Sequence, residues 1–336
     1  MIRHEVGKVG RDVGKRIALT LLVVLLSFSQ AIKADQRRAL AKRAIIITVD
    51  GLGSWVLKEA DAPNLRWLMN NGCYSLKAET VDPPATLPAH VSLFTAVPPS
   101  VHGFDFDTYI PERGYVQRRT LFAYAKAVGM KTAMVVGKKK LMHLANPKWV
   151  DYAPQIKEAN ATKVTSVALD YLKRAQPQLL FIHMPDPDWL GHKYGWGSKA
   201  QLASVTECDK NIGTIIKALS EMKMWEDLLL VVTADHGGEG RWHYGNSEKV
   251  KLIPFIASGG AMKLRGELNC PISICDIAPI VALALSLPVP KEWEERAIKV
   301  MPALRDVRAS NLPRKPLKAS LQMPKRATAH FTVSSK

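Results

Sequence analysis

At 336 residues, with 47% hydrophobic and 23% charged residues, the chain can bury one large core and has the balance of an ordinary α/β domain. Its formal charge of +17 would suggest an anionic partner, but the charge is concentrated at the ends: ten Lys/Arg against three Asp/Glu in residues 1–43, and eight against one in 301–336. Residues 44–300 are left close to neutral, and a nucleic-acid-binding domain would carry its basic stripe there, so no specific nucleic-acid binding is expected.

From the N-terminus, a basic stretch ends at Lys15-Arg16, an apolar run covers 17–28, and Ser29 and Ala31 form a small-x-small cleavage pattern. Residues 1–31 therefore read as a signal peptide, or as an N-terminal anchor that would tether the protein to a membrane if uncleaved. Either implies export, to the periplasm or as a secreted protein. Next, apolar runs at 44–49, 132–136, 179–182, 228–232 and 252–257 have the continuous character of strands buried on both faces. Helical patterns at 62–70, 120–128, 162–174, 198–219 and 273–285 alternate with them, punctuated by Pro63, Gly72, Gly129 and a Ser198/Gln201 capping box. This predicts an α/β fold with a doubly wound, mostly parallel sheet and helices on both faces. From 301 the pattern stops, and 301–336 reads as a basic, disordered tail. Cys73, Cys208, Cys270 and Cys275 are too few to make a disulfide framework; buried thiols are at least as natural a reading.

In open parallel sheets, chemistry gathers beyond the carboxyl ends of the strands. Asp50 follows the first strand, Asp186 and Asp188 follow the run at 179–182, and Asp235 follows the run at 228–232. A single Asp after a strand is most often a loop or cap residue. Here His192 stands four residues after Asp188, His236 is adjacent to Asp235, and His243 follows seven residues later, all in glycine-rich segments. Asp and His side chains together are natural ligands of Zn²⁺. Taken singly, His90, His102, His143 and His183 are better read as hydrogen-bonded core or surface residues. Thr86, in Pro83-Pro84-Ala85-Thr86-Leu87-Pro88, stands at the start of a helix-like stretch, where free backbone N–H groups can receive a phosphoryl oxygen. Its hydroxyl needs a base or a metal to become a nucleophile.

The ordered set Asp50-Gly51, Thr86-Leu87-Pro88, Pro99-Ser100-Val101-His102-Gly103, Asp188 through Gly195, Asp235-His236-Gly237-Gly238 and His243 resembles the type I phosphodiesterase/nucleotide pyrophosphatase branch of the alkaline phosphatase superfamily. The resemblance spans roughly 44–290 and makes 44–300 a metal-dependent phosphohydrolase domain with an alkaline-phosphatase-like fold. It implies two divalent ions, Zn²⁺ by ligand type. One would be held by Asp188, His192 and His243, the other by Asp50, Asp235 and His236 with the nucleophile Thr86. The implied substrate is a small phosphate ester or nucleotide, cleaved at a phosphodiester or pyrophosphate bond through a phospho-threonine. One position departs: where the family places an Asn that donates to a phosphoryl oxygen, this chain has Asp107, and a carboxylate cannot donate. The alternatives are a phosphomonoesterase or phosphonate hydrolase of the same superfamily, or a catalytically impaired exported metal-binding protein. Tyr109, Trp242 and Tyr244 are candidate stacking surfaces for a base, and equally packing residues.

Overall fold

The computed structural model describes residues 39–301; the leader at 1–31 and all but the first residue of the tail at 301–336 lie outside them. The first strand, β1 (Arg43–Val49), is flanked on both sides by parallel neighbours, and its six residues from Ala44 to Val49 are all buried. In chain order there follow β2 (Cys73–Glu79), β3 (Thr132–Val136), β4 (Leu179–Met184), β5 (Leu228–Thr233), β6 (Leu252–Ser258) and the two-residue strands β7 (Gly266–Glu267) and β8 (Ile272–Ser273). The sheet runs β3-β4-β1-β5-β6-β2-β7, with β8 also on β2. Strands β3, β4, β1 and β5 form the parallel block expected of the apolar runs, with β3 at the sheet edge.

Strand β6 runs antiparallel to β5 and to β2. The 234–251 connection explains this: its one α-helix is the four-residue turn Glu248–Lys251, too short for a crossover back to the other edge, so the chain returns from the end where β5 finished. The fold is thus doubly wound and mostly parallel, with a mixed flank. Strand β2 escapes a search for continuous apolar runs because its burial alternates, as in a strand buried mainly on one face.

Helices cover both faces. On one side α1 (Ser54–Glu59), α2 (Pro63–Asn70), α6 (Ala161–Ala175), α7 (Asp186–Tyr194) and α8 (Lys199–Glu221) pack as a layer; on the other lie α3 (Thr86–Thr95), α4 (Pro99–His102), α5 (Leu121–Ala127), α10 (Ile277–Ala284) and α11 (Lys291–Val300), while the short turn Glu248–Lys251 is α9. Side-chain caps start three of the predicted helices: Thr120 accepts from the Ala123 N–H, Asn160 from Lys163 and Ser198 from Gln201. The Ser198 box is only half formed, because the Gln201 side chain accepts instead from the Gly197 N–H, at 3.1 Å. Ser273 and Asp276 make the reciprocal box at the start of the last predicted helix, whose first turn is 3₁₀. All four cysteines are free thiols. Among the described residues, no helix is long and apolar enough to cross a membrane.

Candidate metal centre

The carboxyl ends of β1, β4 and β5 deliver the predicted acidic residues to one place. Asp50 is the residue after β1, Asp235 lies two residues beyond β5, and Asp188 is in the first turn of α7, which starts directly beyond β4. Asp50, Asp235 and His236 are fully buried, and Asp188 and His243 are 3% exposed. Such burial of charge is costly unless each group is paired or bound to a cation. Local glycines make the convergence feasible. Gly51 holds φ +72, and a Cβ there would come 3.0 Å from the Asp188 Cα. A Cβ on Gly238 would press to 2.2 Å from the Trp196 ring, whose Nε1 donates to the Gly51 carbonyl at 2.9 Å.

The three predicted histidines share one arrangement. His192 Nδ1 faces the Arg241 carbonyl at 2.9 Å, His236 Nδ1 the Gly237 carbonyl at 2.9 Å, and His243 Nδ1 the Pro84 carbonyl at 2.8 Å. Since a carbonyl only accepts, each Nδ1 carries a proton, which leaves each Nε2 as the atom that could bind a cation, the orientation of ligating imidazoles. The Nε2 atoms face carboxylate oxygens. His192 and His243 stand 3.4 and 4.0 Å from Asp188 Oδ1, and His236 stands 3.6 Å from Asp50 Oδ1, 3.5 Å from Asp235 Oδ2 and 3.9 Å from Asp188 Oδ1.

These separations are longer than ordinary hydrogen bonds and suit ligands around a shared ion: donors at about 2.0–2.1 Å from a tetrahedral zinc lie roughly 3.3 Å apart. Asp50 Oδ1, Asp188 Oδ1, Asp235 Oδ2 and His236 Nε2 are all buried without a hydrogen-bond partner among the described residues. Four orphaned atoms facing one another are what a cation site leaves in the protein frame. The ligand atoms of Asp188, His192 and His243 all lie within 4.8 Å of one another, as do those of Asp50, Asp188 and His236. Asp188 thus borders both sets. Asp235 is anchored on its other oxygen, which accepts from the Gly51 and His236 N–H groups, each at 3.0 Å. Burial and the neighbouring Asp50 charge push Asp235 up to about 6, and burial and then His236 push His243 down to about 4.

Thr86 is the first residue of α3, with Ala85 in extended conformation before it. Its Oγ1 accepts from Lys138 Nζ at 3.1 Å, and its carbonyl accepts from His90 Nδ1 at 2.7 Å. Asp107 reaches the same helix start from a distant loop. Its Oδ1 accepts from the Leu87 N–H at 2.9 Å, and its Oδ2 is paired with Lys140 Nζ at 2.6 Å. The carboxylate therefore caps α3, and its charge is offset by a lysine. Asp186 takes no part; it accepts from the Ala161 N–H at 2.7 Å, at the start of α6.

Lys138 was not anticipated, and His183 and His90, read singly as hydrogen-bonded core or surface residues, are that and also touch the acidic cluster. Lys138, just beyond β3, places Nζ 2.7 Å from Asp50 Oδ2 and 2.6 Å from Asp188 Oδ2. Burial disfavours its charge, but Asp50, Asp188 and Asp235 outweigh that and hold its pKa above the ordinary lysine value. His183, within β4, pairs its Nε2 with Asp50 Oδ2 at 2.8 Å, while its Nδ1 accepts from the Gly137 N–H at 3.2 Å. His90 lies 3.7 Å from Asp235 Oδ2 and meets Thr48 Oγ1 at 2.9 Å. His102 and His143 match the simpler reading: His102 pairs with Ser92 at 2.9 Å, and His143 faces the Gly114 carbonyl at 2.5 Å. Trp242 and Tyr244, either side of His243, are 64% and 66% exposed, so neither is a packing residue.

The profile described as "Type I phosphodiesterase / nucleotide pyrophosphatase" matches residues 44–267, two thirds of the chain. The chain belongs to that family. Bis(5'-adenosyl)-triphosphatase ENPP4 of Bos taurus is 23% identical over 242 residues, 65% of this chain and 52% of its own length. Ectonucleotide pyrophosphatase/phosphodiesterase family member 5 of Homo sapiens is 22% identical over 240 residues, 66% and 49% of the two chains. The chain thus spans about half the length of the curated relatives it matches. Among solved structures, murine ectonucleotide pyrophosphatase / phosphodiesterase 5 in complex with AMP superposes with a TM-score of 0.60 at 15% identity, covering 76% of this chain and 99% of that one. At that identity the likeness is one of fold.

Proposed function

We propose that this member of the family is an exported, two-metal hydrolase of phosphate esters, cleaving phosphodiester or nucleotide pyrophosphate bonds with Thr86 as nucleophile. The observation that carries it is the meeting of four orphaned ligand atoms, on Asp50, Asp188, Asp235 and His236, with a threonine at a helix start. Asp188, His192 and His243 would hold one divalent ion, and Asp50, Asp235, His236 and Thr86 the other, with zinc favoured by the imidazole content. The ions, when bound, would make the Thr86 hydroxyl acidic and draw charge from the transferring group.

The residues of the chain supply the rest. Thr86 Oγ1, its proton lost to solvent, attacks phosphorus, the bond to the leaving oxygen breaks on the opposite side, and the departing alcohol or nucleotide takes up a proton from solvent. Water then attacks the phospho-threonine, the bond from phosphorus to Oγ1 breaks, Thr86 takes back a proton, and the phosphate or phosphate monoester leaves. The α3 start aims the nucleophile, with Asp107 holding the Leu87 N–H, and Lys138 donates to Oγ1, favouring its oxyanion. By the AMP complex of the murine relative and the name of the bovine one, a nucleotide substrate is the first to try. Residues 44–300 would be the catalytic domain, and 1–31 the export signal or tether.

One observation favours the monoester or phosphonate reading within the same chemistry: Lys138, beside Thr86, adds a positive charge that suits a dianionic phosphoryl group. The ratio of kcat/KM for bis-p-nitrophenyl phosphate over p-nitrophenyl phosphate, on zinc-loaded protein, separates the two. A ratio above one that vanishes in Thr86→Ala supports the diesterase; a ratio below one supports the monoesterase; turnover unaffected by Thr86→Ala overturns both.

A further inference from the structure

Lys138 is placed as no solvated lysine is. Only 8% exposed, it directs Nζ to Asp50 Oδ2, Asp188 Oδ2 and Thr86 Oγ1, at 2.7, 2.6 and 3.1 Å. An ammonium has three hydrogens, so these contacts exhaust its donors. They also span both candidate metal sets, since Asp188 borders each and Asp50 belongs to the nucleophile side. Three buried carboxylates, Asp50, Asp188 and Asp235, face this one lysine, leaving a charge that a single divalent ion would neutralise. A second divalent ion would make the site net positive in a low-dielectric surrounding, a state that an anionic ligand relieves.

The load is uneven. Asp50 Oδ2 is shared by Lys138 and His183, which leaves Oδ1 alone for a metal, and the Thr86 oxygen already accepts from Lys138. On the other side Asp188 Oδ2 alone meets Lys138, and among the described residues His192 and His243 pair with no lysine: their Nδ1 atoms are on backbone carbonyls and their Nε2 atoms face Asp188 Oδ1. We propose that Lys138 is a resident cation of the centre that shares Asp50 and Asp188 with the divalent ions. The ion on the Asp188–His192–His243 side therefore binds tightly, and the ion on the Asp50–Asp235–His236 side binds weakly until an anion joins it. Lys138 is in this sense a positioning residue for the second metal and couples its capture to arrival of the substrate. The inference rests on the two-metal reading above.

Zinc titration of the whole protein, by calorimetry and by zinc content after dialysis, tests it without any turnover. The unsubstituted protein should keep one zinc through dialysis and bind a second at least about tenfold more weakly, a step of ordinary size for changes near metal ligands. His236→Ala should remove the weak ion and leave the tight one. Inorganic phosphate should tighten the second zinc. In Lys138→Met the two affinities should converge, and in Lys138→Gln, which keeps a hydrogen-bonding side chain without the charge, they should do the same if the Met variant does not fold. Lys140→Met, whose partner is Asp107, should titrate like the unsubstituted protein. Two equally tight zincs in the unsubstituted protein, or unchanged affinities in both Lys138 variants, would overturn the inference while leaving the two-metal reading standing. Failure of the unsubstituted protein to take up zinc would sink both.

Discussion

The two halves of the centre are built differently. The ligand half hangs from β1, β4 and β5, in the parallel middle of the sheet, where every strand residue except Arg43 is buried and the backbone has little room to move. The lysine half hangs from β3 at the sheet edge, through Gly137 and the 3₁₀ turn Lys139–Leu144, and meets a loop that brings Asp107 to α3. A metal site needs ligand atoms held to a few tenths of an ångström, which the middle of a sheet can give; a charge that adjusts to a ligand is better carried on a long, jointed side chain at the margin. The nucleophile stands where the halves meet, with Thr86 touching Lys138 by its hydroxyl and His90 by its carbonyl.

This division predicts that the effects of substitutions fall into steps. Thr86→Ala removes the proposed nucleophile and one acceptor of the buried Lys138 ammonium, so it should cut kcat by at least about a thousandfold while lowering stability by only about 1–3 kcal/mol. Trapping phospho-threonine on another residue of the unsubstituted protein would refute the assignment. His183→Ala touches no substrate in the proposed scheme but frees Asp50 Oδ2 of one of its two partners. Loss of a buried partner behind a ligand should lower metal affinity by about 10–100-fold, and saturating zinc should restore most of the rate. A rate that zinc does not restore would place His183 in the chemistry itself.

Across the join, Asp107→Asn should have a smaller effect. The amide oxygen can still accept from the Leu87 N–H, so α3 should keep its cap, but Lys140 loses a charged partner at 2.6 Å. The pair is part exposed, so its rupture should cost at most about 1 kcal/mol of stability. The informative readout is KM, which should fall about threefold for anionic substrates as Lys140 is released to them. A rise in KM with loss of stability would show that Asp107 serves the fold alone.

How much of this is legible in the sequence depends on position and residue type. Asp50 and Asp235 stand out because each follows a buried apolar run at the end where parallel strands present ligands, and of Asp186 and Asp188 beyond β4 the four-residue spacing to His192 selects Asp188; His236 and His243 follow Asp235. Lys138 obeys the same rule, two residues after the buried run 132–136, yet it lies in Lys138-Lys139-Lys140, which looks like a solvated basic cluster. Only tertiary contacts separate the three: Lys138 turns to the carboxylates, Lys139 lies 4.8 Å from the Tyr109 ring, and Lys140 pairs with Asp107. His183 gave a signal too, as the one ionisable residue in the otherwise apolar β4. The reversal of β6 could not be read from apolar content, because a buried strand has the same composition in either direction; the lack of a crossover helix in the 234–251 connection carried that information.

A separate step lies at the mouth of the centre. Trp242 and Tyr244 flank His243, stack with ring centroids 6.4 Å apart and a tilt of 28°, and leave most of their surface to solvent. Trp242 also meets the His192 ring edge-on at 5.9 Å, so the aromatic surface is continuous with one ligand set. Exposed aromatic faces of this kind suit a flat base, and each stacked base contributes about 1–3 kcal/mol in favourable cases. Because the platform is exposed on one side, the low end applies, and Trp242→Ala should raise KM about fivefold for a nucleotide diester while leaving p-nitrophenyl esters within about twofold. The melting temperature should not move, since little of the ring is buried. Equal losses for both substrates would mean that Trp242 acts through His192 and the metal instead, and would make the aromatic mouth part of the rigid ligand half of the centre.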